Sequence, residues 1–287
     1  MKCDLHVHTV HSGMCTVPVL NRICRESYSS AQQVYETLKR RGMDLVTVTD
    51  HDSIDAAEAL RRHPDFFLSE EVSCRTPRGT QLHVGVYDIA ERDHIQLQRR
   101  RDDLPALTAY LNERRLLFSV NHIFSSLTGR RTESDFDDFA ACFPAVEILN
   151  GQMLAAANRY AEAFAARNRK ATVAGSDAHT LASLGRTYTR VPSARDRREF
   201  MEGLKRGQGT AIGDSGDYIK LTRAVIEIGF ELLNEKRWTT LLSPLMTAIP
   251  LITLAHLALE TVFAHKWGRR VAGLLDAVPV QRALERV

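Results

Sequence analysis

The sequence predicts an α/β fold, an irregular barrel or sheet followed by an all-helical C-terminal segment, and three observations carry that reading. Short apolar runs rich in Val, Ile, Leu and Phe recur up to Gly175. Helix-like stretches separate several of them, which gives β/α alternation. Beyond Gly213 the strand signals fade and the pattern becomes helical.

In chain order the strand candidates are 3–8, 44–49, 66–73, 81–87, 117–122, 145–149 and 171–175, each bounded by polar or turn-forming residues. Helices are expected over 30–41, where Val34 and Leu38 share a face, over 103–114 and over 154–167. Only 74–80, containing Pro77 and Gly79, separates the third strand from the fourth. That is too short for a crossover helix, so this pair is expected to form a hairpin and the barrel to be irregular. The segment 207–216 holds four glycines in ten residues and reads as a linker, dividing the chain into a region 1–213 and a helical segment 217–287.

Composition removes several function classes. At 287 residues and 44% hydrophobic the chain can bury a core and is too apolar to be disordered. A formal charge of +3 is too small for a protein built to neutralise nucleic-acid phosphates, and no basic, aromatic groove for long nucleic acids is evident. The five cysteines are odd in number and follow no paired spacing, and no apolar signal region precedes them, so free thiols and a cytoplasmic location are expected.

The titratable residues fall at strand ends, which in an α/β barrel face one shared mouth. The first strand ends in Asp4-Leu5-His6-Val7-His8, and alternation puts Asp4, His6 and His8 on one side, so two imidazoles can reach one cation. Thr49-Asp50-His51 ends the second strand, Glu70-Glu71 lies in the third, His83 in the fourth and His122 at the end of the fifth; Ser176-Asp177-Ala178-His179 follows the seventh. A lone His or Glu at a strand end is ordinarily hydrogen-bonded or solvated. So many in one mouth force like charges together unless a divalent cation pairs with neutral His and ionised carboxylates. Without a thiolate cluster, the donor set suits zinc, manganese or iron better than calcium.

These strings resemble the polymerase and histidinol phosphatase (PHP) family of metallohydrolases, with its leading His-x-His, a Thr-Asp-His, a Glu, two single His and a final Asp-x-His in that order over about 1–213. The resemblance implies a distorted (β/α)7 barrel. It implies that His6, His8, Glu71 and Asp177 hold one metal, that Glu71, His83 and His122 hold a second with Glu71 bridging, and that His51 and His179 belong to a third. Glu71 is chosen over Glu70 because Val72-Ser73 follows it. The third site departs from the family pattern: an Asp common after the first-loop Ser is Gly13 here. The loop from Met14 to Ser30, longer than a minimal βα connection, either covers the mouth or packs on its rim.

Two or three divalent ions in such a site imply phosphoester hydrolysis by a metal-bridging hydroxide, with Glu71, Asp177, His179 and His51 as the catalytic set and His179 or His51 protonating the leaving oxygen. Asp50 is expected to orient a ligand. Arg186 and Arg130, or Arg131, are the candidates for gripping phosphate. The expected substrate is a small phosphorylated molecule or nucleotide, monoester and diester being open. The alternatives are a catalytically weak, metal-bound PHP module with a binding or regulatory role, and an amidohydrolase acting on C–N bonds.

In the helical segment Tyr218, Leu221, Val225, Ile228 and Leu232 fall on one face. From Thr239 to Leu259 no charged residue occurs for 21 positions, and Trp238 and Trp267 flank the stretch with basic residues on both sides. The expectation is either membrane association, as a span or as a re-entrant or surface hairpin broken at Pro244 or Pro250 on the inner face of a membrane, or a soluble helical hairpin buried against the barrel or in a homodimer contact through 218–287.

Overall fold

The computed structural model describes residues 1–17, 20–235 and 237–271; Pro18 of the long first loop and residues 272–287 of the helical segment lie outside it. The chain begins with β1 (Lys2–Cys3), followed by α1 (Ala31–Arg40), α2 (Ala57–Leu60), β2 (Ser69–Arg75), β3 (Gln81–Tyr87), α3 (Glu91–Gln98) and α4 (Leu104–Glu113). Next come β4 (Leu117–Val120), α5 (Glu133–Cys142), β5 (Ala145–Asn150), α6 (Ala155–Arg167), β6 (Ala171–Gly175), β7 (Thr187–Arg190), α7 (Arg197–Lys205) and β8 (Thr210–Gly213). The helical segment contains α8 (Tyr218–Glu235), a 3-10 stretch Arg237–Ala248 and α9 (Ile249–Val271).

Local chemistry sets the helix starts. Ser30 and Gln33 form a reciprocal capping box on α1, and Asp103 accepts the Ala106 N–H at 3.0 Å to cap α4, whose first turn also holds Pro105. The 74–80 segment is the expected hairpin turn, with β2 antiparallel to β3.

Two sheets form, β2-β3-β4-β5-β6 and β1-β7-β8. The first mixes antiparallel β2, β3 and β4 with parallel β4, β5 and β6. The closed seven-stranded barrel is therefore not present as one hydrogen-bonded sheet among the described residues. Segments 3–8 and 44–49 carry only isolated bridges beyond Cys3, Val7 with Ala178 and Val46 with Phe66. Polar side chains take the donors a ladder would use. Thr49 Oγ1 accepts Val7 N–H at 2.9 Å, Asp4 accepts His6 and Ser176 N–H, and Asp50 accepts Thr9 N–H at 2.6 Å. The glycine-rich segment read as a linker contains β8, which pairs antiparallel with β7; neither strand was expected, because both are four residues long and Thr-rich or glycine-flanked.

The apolar packing nevertheless converges. Leu5, Leu45, Phe67, Tyr87, Leu117, Ala145 and Val173, one residue from each of the seven expected strands, pack in one buried cluster closed beneath by Phe200, Met201 and Leu204 of α7. This plug fixes the strand ends relative to one another. Outside it, α4, α5 and α6 cover the five-stranded sheet in a second cluster that includes Trp267 of α9, and α1 covers the other flank in a third.

Candidate metal centre

Glu71 stands at the centre of the mouth, fully buried. Its Oε2 lies 3.2 Å from His6 Nε2, 3.6 Å from His8 Nε2, 3.4 Å from His51 Nδ1 and 3.6 Å from His83 Nδ1. Its Oε1 lies 3.4 Å from His122 Nε2 and accepts Asn121 Nδ2–H at 2.8 Å. Asp177 Oδ1 is 3.4 Å from His6 Nε2 and 3.2 Å from His8 Nε2. Three groups have donor atoms all within 4.8 Å of one another: His6, His8 and Asp177; His6, Glu71 and His122; His8, His51 and Glu71. Glu70, the alternative acid, points the opposite way on its strand, where His94 Nδ1 at 2.8 Å and Gln98 of α3 engage it.

The backbone aims these side chains at a cost. His122 (φ 32°) and Asp177 (φ 51°) hold left-handed conformations without being glycine. Gly175 permits the closest approach: a Cβ there would sit 2.4 Å from the His6 Cβ, so any other residue would push the first strand away from β6.

A further layer of buried acids and amides fixes the rings. Glu147, at the heart of β5, meets His6 Nδ1 at 2.7 Å and accepts His122 N–H and Asn150 Nδ2–H, each at 3.0 Å. That contact leaves His6 Nε2 facing Glu71 and Asp177. Asp50 accepts Ser12 Oγ–H at 2.7 Å, and Ser12 Oγ lies 2.9 Å from His8 Nδ1, so Asp50 orients His8 through the hydroxyl. Asp4 does not join the cluster; it accepts N–H groups of His6, Ser176 and Gly185 beneath it, and burial raises its carboxyl to about 6.

At the corner of the expected third site, His51 and His179 are joined by a carboxylate that the motifs do not contain. The long first loop folds so that Glu26 Oε2 lies 3.4 Å from His51 Nε2 and Glu26 Oε1 lies 3.4 Å from His179 Nε2. Glu26 N–H is bonded to the carbonyl of Gly13, the position where the family pattern has an acid. A carboxylate thus reaches this corner from another position in the loop. Its only sequence signal is a lone acid in a basic, cysteine-containing stretch, and Glu147 likewise gave none beyond an acid within an apolar strand.

Burial pushes the acids up in pKa, yet the surrounding imidazoles outweigh it. The charges of His6 and His51 with a hydrogen bond from His122 hold Glu71 well below the carboxylate range, and His6 and His179 with a hydrogen bond from His8 do the same for Asp177. Burial drives His8 and His83 down, whereas Asp177, Glu71 and Glu147 raise His6, and Glu71 raises His122, against burial. Burial also lowers His51, but Glu26 and Glu71 outweigh it and raise the ring to about 10.

His6 Nε2, His8 Nε2, His51 Nδ1, Glu71 Oε2, His83 Nδ1 and His122 Nδ1 are buried without a hydrogen-bond partner. At about 1–3 kcal/mol each, such orphans would cost as much as the whole stability of an ordinary domain. Imidazole nitrogens and carboxylate oxygens converging without hydrogen bonds fit a divalent metal.

The phosphate-gripping candidates divide. Arg186 is exposed, donates Nε–H to the Ala182 carbonyl at 2.8 Å, and lines a cavity of ≈ 120 Å³ beside the cluster with Thr180, Lys220 and Arg223. Arg130 is exposed and lines neither this cavity nor the apolar one beyond Asp177. Arg131 is buried, with Nη1 on the Gln81 carbonyl at 2.8 Å and its guanidinium over Phe139, which makes it part of the packing.

A family described as PHP-associated matches residues 155–208. No curated protein matches the chain. Among solved structures, PsfC from Pseudomonas syringae is 19% identical with a TM-score of 0.58, over 82% of this chain and 98% of that one. A two-domain protein from Bacteroides vulgatus containing a predicted PHP-like metal-dependent phosphoesterase is 16% identical with a TM-score of 0.55, over 74% of this chain and 64% of that one. The lesion-specific endonuclease PfuEndoQ from Pyrococcus furiosus is 17% identical with a TM-score of 0.51, over 73% and 57%. The chain thus spans less than two thirds of the last two proteins. At these identities the likeness is one of fold. The ordered His-x-His, Thr-Asp-His, Glu, His, His and Asp-x-His strings converge in that fold, with the PHP-associated match beside them, and in these respects the chain is similar to the PHP family.

Proposed function

We propose that the protein is a metal-dependent hydrolase and, more finely, a phosphoesterase acting on a small phosphorylated substrate or nucleotide. The observation that carries the reading is Glu71, one buried carboxylate ringed by five imidazoles whose facing atoms are mostly unpaired. His6, His8, Glu71 and Asp177 would hold one divalent ion, and Glu71, His83 and His122 a second; His51, His179 and Glu26 form the set for a third. Zinc, manganese and iron fit the donors. Bound there, such ions supply charge neutralisation for a phosphoryl oxygen and an acidified water.

The chain's own groups do the rest. Glu147 holds the His6 ring and Asp50, through Ser12, the His8 ring. Asn150 Nδ2 donates to Asp177 Oδ2 at 3.0 Å and fixes that carboxylate. Burial lowers His179, but Glu26 and Asp177 outweigh it, so the ring keeps a proton that it can give to the leaving oxygen when the third set is free. Arg186, from the neighbouring cavity, meets the outer oxygens of a larger phosphorylated group.

The seven-residue apolar ring supports reading the two sheets as a distorted (β/α)7 barrel over 1–213; the reading of 217–287 as a helical unit of its own, in a cytoplasmic protein, rests on the sequence. Leu251, Ile252, Leu254 and Leu259 of α9 are more than half exposed, which supports membrane-surface contact, or a homodimer contact, through this unit. The helix spanning Trp238–Val271 is long and apolar enough to cross a bilayer by length and composition, although the 3-10 stretch around Pro244 interrupts its α geometry.

Metal analysis of freshly purified protein should return two or three equivalents per chain. Protein supplied with manganese or zinc should hydrolyse a chromogenic phosphoester, with inorganic phosphate as an inhibitor. Metal without turnover on any phosphoester would favour the binding module; turnover of C–N substrates that phosphate does not inhibit would favour an amidohydrolase. No bound metal would overturn all three readings.

A further inference from the structure

α8 divides the space beside the metal centre by chemistry. Ala224 touches two cavities. On one side Lys220 and Arg223 join Arg186 around the polar cavity described above. On the other, Leu221, Val225 and Ile228, spaced at one helical turn, line a cavity of ≈ 170 Å³ together with Leu154 and Leu257. This second cavity ends on Asp177 and His179, two members of the ligand constellation. Glu260, a further carboxylate in its lining, is buried and already accepts the Ser126 N–H at 3.0 Å, which ties α9 to the loop after His122. Gln152 and His256 also border it, but most of the wall exposed to a side chain leaving the metal centre is hydrocarbon.

We propose that the substrate is a phosphoester whose alcohol portion is apolar, an alkyl or aryl chain seated between α8 and α9 while its phosphate meets the imidazole–carboxylate cluster. The inference rests on the phosphoesterase reading and adds the substrate class to it. Water adds across the P–O ester bond; the apolar alcohol leaves with a proton and the phosphate keeps the incoming oxygen. A nucleoside or sugar would bring hydroxyl and amide groups into a cavity with few partners for them, at the cost of burying unpaired polar atoms. An apolar chain brings none, and its burial raises affinity by about fourfold per methylene until the cavity is full.

The test uses full-length, metal-loaded protein and a series of n-alkylphosphonates from methyl to octyl, which cannot be hydrolysed at phosphorus. Calorimetry should give affinities that climb with chain length and then level, the octyl compound binding at least thirtyfold more tightly than the methyl one. Val225→Asp, or the milder Leu221→Gln if the first does not fold, should collapse the octyl-to-methyl ratio to below threefold. Phe230→Ser, on the exposed side of the same helix, should leave that ratio unchanged. A flat wild-type series with methylphosphonate still bound, or a nucleoside monophosphate binding more tightly than octylphosphonate, overturns the substrate class while sparing the phosphoesterase reading. If neither phosphate nor any phosphonate binds and no phosphoester is cleaved, the reading beneath it fails, and the proposal with it.

Discussion

The metal centre and the helical segment break the usual rule of burial in opposite directions. At the mouth of the strands, polar atoms are buried without hydrogen bonds; along α9, Leu251, Ile252, Leu254, Leu259 and Val262 are more than half exposed. On the proposed reading each departure marks a surface with a counterpart, cationic in the first case and apolar in the second. The contrast also separates what the two regions contribute to folding. The mouth is held by directional contacts among acids, amides and imidazoles, whereas the helices are held by a narrow apolar seam.

The sharpest break of that contrast is Glu71→Gln. The substitution keeps shape but removes the charge shared by five rings, so metal per chain should fall below one equivalent and phosphoesterase activity should drop at least about 10³-fold. Chelation of the wild type should do the same reversibly. A Glu71→Gln protein that retained full metal content would remove Glu71 from the centre of the site.

Next in size is a packing change in the other region. Trp267 is buried against Phe136 at 5.6 Å, and beside it Gly268 lets α9 press onto Tyr160, where a Cβ would come within 2.2 Å of the ring. Trp267→Ala should cost about 3–5 kcal/mol, read from denaturant unfolding, while metal affinity stays unchanged. Loss of metal with loss of packing would mean that the two regions are one energetic unit.

Two acids outside the expected ligand set should give intermediate effects. Glu147→Gln loosens the His6 ring and should weaken metal binding about 10- to 100-fold, with little loss of fold. Glu26→Gln should remove the weakest-bound equivalent and leave the other two. In chelated protein Glu26→Gln also has a pH signature. His51 is raised to about 10 in the fold by Glu26 and Glu71 against burial, so its contribution is complete below the ordinary imidazole value near 6.5 and is lost as pH rises towards 10. The stability gap between wild type and Glu26→Gln should therefore be widest at pH 6 and narrow through that window in urea titrations.

The sequence exposed most of this architecture where the signal was local. Strands 81–87 and 171–175 and the helices beginning at Ser30, Asp103 and Leu154 follow from periodicity and caps, and the observed elements agree within a residue or two. The incomplete barrel was not legible, because side chains of Asp4, Thr49 and Asp50 displace backbone partners, and hydropathy does not report who accepts an N–H. His6, His8, His51, Glu71, His83, His122, Asp177 and His179 stood out because strand ends share one mouth. Glu26 and Glu147 did not: one comes from a loop whose path is set by its contact with Gly13, the other from mid-strand, where an acid looks like a tolerated exception.

The smallest effect on folding should come from the exposed row. Leu251 is 71% and Leu254 54% exposed, so the pair Leu251→Ser and Leu254→Ser leaves no cavity and should alter unfolding free energy by less than about 0.5 kcal/mol. If α9 meets a bilayer, the same pair should sharply reduce sedimentation with phosphatidylglycerol–phosphatidylcholine vesicles, because each leucine withdrawn from the interface forfeits most of its transfer energy. If it meets a second copy of the chain, vesicle sedimentation should be low for the wild type, and the pair should shift a dimer towards monomer in analytical ultracentrifugation. A wild type that is monomeric and ignores vesicles would instead make the row ordinary surface, and the parallel between the two regions would end at the metal centre.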